Sequence, residues 1–165
     1  MAEPRSIPAD GNVKVAWVPS LAVPASPSVA ELIAGSVVDL SCYLTDDGFT
    51  PSTDEQTITD NRLCSRQTFE QPGRFQDGLQ IKYVRGQTVP EDLAFTTLIR
   101  GTQGFYVVRW GIAYETAFLA AQKVDVYPST CGVQMKQPPE ANTPLRVQQK
   151  LFVTGTVQRD VLIAA

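Results

Sequence analysis

The chain carries no histidine, so the acid, base and nucleophile roles of any active site would fall to carboxylates, Lys, Tyr or a thiol. A Ser-His-Asp triad, a Cys-His pair and every metal site that needs an imidazole are excluded on that ground. The densest group of acids is Asp46, Asp47, Asp54 and Glu55, two of which could flank a glycosidic bond as paired acid and base. They lie among Ser, Thr, Gly and Pro, where acids ordinarily serve solubility and turn formation, and that is the preferred reading. A calcium loop would need the D-x-[DN]-x-[DN]-G pattern, which is absent. Gly101-Thr102-Gln103-Gly104 lacks the Lys and Ser or Thr of a phosphate loop and reads as a helix stop before a strand. Trp17, Tyr106 and Trp110 could stack on sugar rings, but Trp110 sits in an apolar run and is expected in the core. Arg109, beside it, could stack on an aromatic ring or pair across strands. No cofactor, metal or enzymatic activity is expected.

These residues are positioned by a chain of 165 residues with 17 acidic and 14 basic side chains, 43% apolar and 19% charged. That length suits one domain, expected over 1–165, and the composition is too apolar for disorder. Charge is split along the chain: residues 46–77 carry seven acids against three bases, and residues 136–159 four bases against one acid. The net charge of -3 argues against duplex binding. The two patches could favour head-to-tail contact between copies, although ordinary scatter on a solvated surface explains the same counts. Cys42, Cys64 and Cys131 form no CxxC or zinc spacing. Buried free thiols in a reducing compartment fit best, with a Cys42 to Cys64 bridge as the minor alternative. Residues 1–10 show neither the basic start nor the apolar stretch of a signal peptide. No apolar run approaches the ~18 residues of a membrane span, so use without export and without a membrane is expected.

Prolines at 4, 8, 19, 24 and 27 make residues 1–27 an extended, proline-rich N-terminal arm around one short strand, Val13 to Val18. Ser28, with Glu31 three residues on and Gly35 beyond, predicts a capped helix over Val29 to Ala34. The β-branched run over 37–44 predicts a strand stopped by Asp46-Asp47-Gly48, after which 46–59 reads as a long polar loop. Strand composition returns at 56–60 and 65–70, and Leu79, Ile81 and Tyr83 alternate with Gln80 and Lys82 as in a half-buried strand. A second helix is predicted over Pro90 to Ile99, with Glu91 and Asp92 in its first turn. Strands follow at 105–110, 123–127, 132–136, 145–154 and 157–163. In the longest, Leu145, Val147, Leu151 and Val153 share one face with Gln149, opposite Arg146, Gln148, Lys150 and Phe152. About eight or nine short strands with one or two short helices describe a mainly β fold, a β-sandwich or barrel.

Four stretches in one order carry a resemblance. They are Arg62-Leu63-Cys64-Ser65 with Gln67 to Gly73, then Tyr106-Val107-Val108-Arg109-Trp110-Gly111, then Val124-Asp125-Val126-Tyr127-Pro128 running through Cys131-Gly132-Val133-Gln134 to Lys136 to Asn142, and finally Gln149 to Gly155 with Val157 to Asp160. Over residues 35–165 the chain resembles the major tail proteins, or tail tube proteins, of long-tailed phages with non-contractile tails. The resemblance implies a tail-tube-like β-sandwich subunit that self-assembles into hexameric rings, stacked as a tube through which genomic DNA passes. Its partners would be copies of itself, other tail proteins such as the tape measure, tail tip and terminator, and DNA in transient, non-specific passage. No small-molecule substrate is implied, and the place of action would be the virion tail, assembled in the host cytoplasm.

On that architecture the 46–59 loop, with Asp46, Asp47, Asp54 and Glu55, and the arm are expected at contacts between rings. The strands around Gln67 and Glu70, and around Gln148 and Lys150, are expected at the lumen or at subunit seams. A tail terminator or head-tail joining subunit is the nearest rival and would form a single ring. From other classes, a carbohydrate-binding β-sandwich module would stay monomeric, and a glycosidase would depend on Asp54 or Glu55.

Overall fold

The computed structural model describes residues 3–165. Its strands are β1 (Val13–Val18), β2 (Val38–Asp39), β3 (Leu44–Asp60), β4 (Phe69–Val84), β5 (Gln103–Trp110), β6 (Lys123–Lys136), β7 (Arg146–Val153) and β8 (Gln158–Leu162), and its helices α1 (Val29–Leu32) and α2 (Leu93–Thr97). The fold is mainly β, as expected, and takes the form of one curled sheet in the order β2-β1-β5-β6-β7-β4-β3, with β8 pairing β6 off this path. Every pairing in it is antiparallel.

Two kinds of strand explain the curl. In β1 and β5 successive residues are apolar, so both faces must be covered. Val15, Trp17, Tyr106 and Val108 face one cluster, and Ala16, Val18 and Val107 face another. In β4 and β7 apolar and polar residues alternate, so one face is buried and the other meets solvent. Their inward residues, Leu79, Ile81, Tyr83, Val147 and Leu151, join the first cluster, which lies inside the curl. The second cluster lies on the outer face of β1, β5 and β6 under α1, with Leu32, Phe118 and Ile163.

Polar side chains fasten the segments that leave the sheet. Arg109 is fully buried in β5. Its guanidinium donates to the carbonyls of Ala113 and Thr116 at 2.8 Å, Ala117 at 2.9 Å and the Gln122 amide oxygen at 3.0 Å, holding residues 111–122 over the second cluster. Burial pushes this guanidinium's pKa down, against a smaller opposing pull from Asp39. Gln149 and Gln134 do the same for α2, donating to the carbonyls of Leu98 at 2.7 Å and Phe95 at 2.8 Å. Gln134 also donates to the Tyr83 hydroxyl, whose pKa burial raises to about 12. Arg85 grips Asp92 through Nε and Nη2 at 2.6–3.0 Å while stacking 3.7 Å from the Phe95 ring centroid. Helix α1 begins with the expected capping box, in which Ser28 N donates to Glu31 at 2.9 Å and Glu31 N to Ser28 Oγ at 3.4 Å.

Several expectations are corrected. Residues 46–59 are not a loop but most of β3, paired with β4 along its length. Phe49 packs on the first cluster, but beyond it the hairpin covers no core, so the rest of the run lacks hydrophobic alternation and its order comes from the backbone ladder. Pro51 and Pro72 fit because β3 is the sheet edge and β4 at Pro72 has only β3 beside it. The expected strand over 37–44 is reduced to β2 and a turn, and the two strands at 123–127 and 132–136 are one, β6, with a register shift between Cys131 and Gln134. The arm is not extended throughout: β1 lies inside the sheet, and Leu21 and Pro27 are buried. Met1 and Ala2 of that expected arm lie outside the described residues. All three thiols are free, but only Cys131 is buried, whereas Cys42 and Cys64 are exposed.

Replacing Arg109 with Met keeps bulk but removes every donor, leaving the Thr116 and Ala117 carbonyls without a partner, while the Ala113 carbonyl keeps the Thr116 N–H and the Gln122 oxygen keeps the Leu119 N–H. This is expected to cost about 3 kcal/mol, a fall in Tm of roughly 6–12 °C in thermal unfolding. Asp92 gives a pH signature. Burial raises its pKa, but the Arg85 contacts and the Gly86 N–H outweigh that, so it rests below the ordinary value. Its stabilisation is therefore complete above the unfolded carboxyl pKa of about 3.9 and is lost as pH falls through the lower folded value. Asp92→Asn should lose about 2 kcal/mol at neutral pH, and its deficit against the parent should close below about pH 4 in a series of melts.

Candidate functional site

Strands β3 and β4 outrun the sheet. Strand β4 pairs with β7 only from Leu79 to Val84, so residues 54–60 and 69–76 have only each other as strand partners. From Phe49 to Asp60 this ribbon runs about 36 Å, at ~3.3 Å per residue. At its root Lys82 and Asp47 form an ion pair, and Lys82 and Thr45 hold the Asp47 carboxyl below the usual range. Further out, Arg159 donates to Asp77 Oδ1 at 2.6 Å, and Thr53 Oγ1 donates to the same oxygen at 2.7 Å. Through Arg159 the basic C-terminal stretch meets the acidic stretch within one chain.

Two glycines set irregularities in the ribbon. A Cβ at Gly48 would collide with the Lys82 carbonyl, and one at Gly73 would lie 2.7 Å from the Gln56 oxygen. They adjoin the register shifts between Leu44 and Phe49 and between Glu55 and Thr57. The tip, residues 61–68, is ordered by its own bonds: Arg62 to Asp60 at 2.9–3.1 Å, Thr68 to Asn61 at 3.1 Å and Ser65 to the Gln67 carbonyl at 2.8 Å. Ile58, Leu63, Phe69 and Phe75 are exposed along ribbon and tip, with Leu63 wholly so. These side chains lie along the part of the ribbon that has no other strand beside it.

A cleft of about 380 Å³ opens at the other end of this ribbon. Its walls include Val13, Val15, Leu44, Phe49, Trp110 and Tyr114, with Cys42, Asp10 and Asp46 also lining it. Trp110 is 47% exposed rather than in the core, because β5 pairs with β6 only as far as Val108. It donates to Asp125 at 2.8 Å and meets Phe49 edge-on, ring centroids 6.1 Å apart. Trp17 and Tyr106 are buried, so the three aromatics do not form a platform.

The acids named from sequence are dispersed. Asp46 borders the cleft, Asp47 pairs with Lys82, and Asp54 and Glu55 stand about 20 Å further along β3 as neighbours pointing to opposite faces. No paired-carboxylate geometry results. The expected seam residues also separate. Gln67 lies in the tip and Glu70 opposite Thr59 near it, whereas Gln148 and Lys150 are on the solvent face of β7, opposite Lys82 and Gln80. On that face Gln148 accepts from Gln137 at 2.8 Å and Lys150 sits 5.4 Å from the Phe152 ring. The residues missed from sequence were the apolar ones on the ribbon and Trp110. Leu63 and Phe69 lie within the first of the four stretches that carry the resemblance, where polar neighbours give no sign of their exposure.

A family model described as phage tail tube protein matches residues 1–165, including the first 34 residues, which the motifs did not reach. Among solved structures, a chain in the cryo-EM structure of the anti-feeding prophage (AFP) baseplate, 6-fold symmetrised, shares the fold with TM-score 0.55, 9% identity and 96% coverage of each chain. No curated protein matches the sequence. With a family match over its whole length, the chain belongs to the phage tail tube proteins, structural components of the virion tail.

Proposed function

We propose that the protein builds the tail tube by self-association into stacked hexameric rings that conduct DNA during ejection, without catalysis. The observation that carries this is the outer ribbon: residues 54–60 and 69–76, about 20 Å of paired backbone bearing exposed apolar residues, have no other strand of the chain beside them. Contacts between rings fall to this ribbon, with Asp54 and Glu55 along it and Asp46 and Asp47 at its root. The arm adds to them through the exposed residues 3–10. The six-fold symmetry in the name of the structurally similar baseplate supports a hexamer.

The solvent face of β7 and β4, with Gln148 and Lys150, is assigned to the lumen or its seams, while Gln67 and Glu70 belong with the tip. On that face Lys82 is paired with Asp47 and Arg146 with Glu140 at 2.6 Å, which lowers the attraction for passing phosphates. Assembly in the host cytoplasm, with the tape measure, tail tip and terminator as neighbours, follows from this role.

Replacing residues 55–75 with an Asn-Gly turn joins Asp54 to its register partner Gln76 and removes the outer ribbon while sparing both clusters. The variant should remain a folded monomer by circular dichroism and form no tubes in negative-stain micrographs across a concentration series. Normal tubes from it would overturn the role of the ribbon. Isolated rings from the parent protein would favour the terminator, and a parent that stays monomeric would overturn the tube.

A further inference from the structure

The ribbon ends in a surface that matches the cleft at its own root. The tip presents Leu63, fully exposed, between Arg62 and Arg66. Arg62 is turned toward Asp60, and Arg66 has no ion-pair partner among the described residues. The cleft presents an apolar floor of Val13, Val15, Leu44, Phe49 and Trp110, with Asp10 and Asp46 on its lining. Neither carboxylate has an ion-pair partner among the described residues. Apolar meets apolar, and an unpaired cation meets two unpaired carboxylates.

One chain cannot satisfy its own match, since tip and cleft stand about 36 Å apart along a paired ribbon. We infer that the tip of one copy seats in the cleft of another, Leu63 packing against Phe49 and Trp110 and Arg66 reaching Asp10 and Asp46. This rests on the self-association proposed above and names the acceptor for it. The contact is heterologous, because each copy uses tip and cleft once each. It therefore propagates from copy to copy along the ribbon direction instead of closing as a two-fold pair.

The thiols report on it without being part of it. Cys64 adjoins Leu63, and Cys42 lines the cleft; both are exposed. A short bismaleimide, which alkylates one thiol at each end, should link Cys64 of one copy to Cys42 of the next and give a ladder of multimers on a denaturing gel. C42S and C64S should each abolish the ladder, and an equal mixture of the two variants should give covalent dimers only. R66E should cut the linked product by at least about tenfold, with recovery when R66E copies carry D46K. L63D should cut it likewise.

Tubes visible on the grid that give no Cys42 to Cys64 product would overturn this contact while leaving self-association standing. A ladder unchanged by both R66E and L63D would also overturn it, as would a cleft found filled by residues 3–8 of its own chain. A parent protein that never associates would overturn the tube reading itself, and this contact with it.

Discussion

Strand β6 has two edges and three neighbours, and that shortage shapes the molecule. Strand β5 takes one edge between Asp125 and Thr130, while β8 takes the start of the other, from Lys123 to Val126. Strand β7 can therefore join only from Ser129 onward. The sheet turns where the partner changes, carrying β7 and β4 over the inner face of β1 and β5 and enclosing the cluster of Tyr83, Tyr106 and Leu151. The outer face of β1, β5 and β6 keeps its own apolar residues and needs a separate cover, which α1, Phe118 and the chain end supply. Two small cores replace the single core of a plain sandwich, and β6 is common to both.

Connections that cross those cores are tied down by side chains that supply hydrogen bonds to backbone carbonyls. Arg109 serves residues 111–122, and Gln134 and Gln149 serve α2. Such groups are costly in a core unless they are bonded, and here both terminal nitrogens of Arg109 and the amide nitrogens of both glutamines are bonded, while Arg109 Nε is buried without a partner. The ribbon shows the reverse arrangement, with apolar residues outward and a paired backbone within. One chain thus holds a body that completes itself and a projection that does not, which is the division a polymerising subunit requires.

Legibility followed burial. The capping box of Ser28 and Glu31 and the alternation of residues 79–83 and 147–152 were readable because local chemistry and hydrophobic period agree there. Strand β3 was not, since beyond Phe49 neither of its faces meets a core and it carries no period, and its Asp, Ser, Thr and Pro are also the vocabulary of loops. Arg109 was open between two roles because the carbonyls that hold it belong to a loop of no recognisable pattern. Trp110 looked like core because its neighbours are core, yet it lies two residues beyond the last pair of β5 with β6 and has only Val13 of β1 opposite it. The acids at 46, 47, 54 and 55 are near in sequence, but an extended strand spreads over tens of ångströms what a loop would gather.

Gly48 and Gly73 separate two properties of the ribbon that a regular hairpin would couple. The number of paired residues sets how far the tip stands from the body. The irregularities beside the two glycines set how it is rotated, since each extra residue in a ladder adds local twist and changes which side chains face which way. Neither glycine offers a side chain to any contact, and yet the bearing of Leu63 and Arg66 relative to the sheet depends on both. Reach and aim can then vary independently: pairs of residues added to both strands carry the tip further from the body, and a change at either irregularity turns the tip about the ribbon's axis.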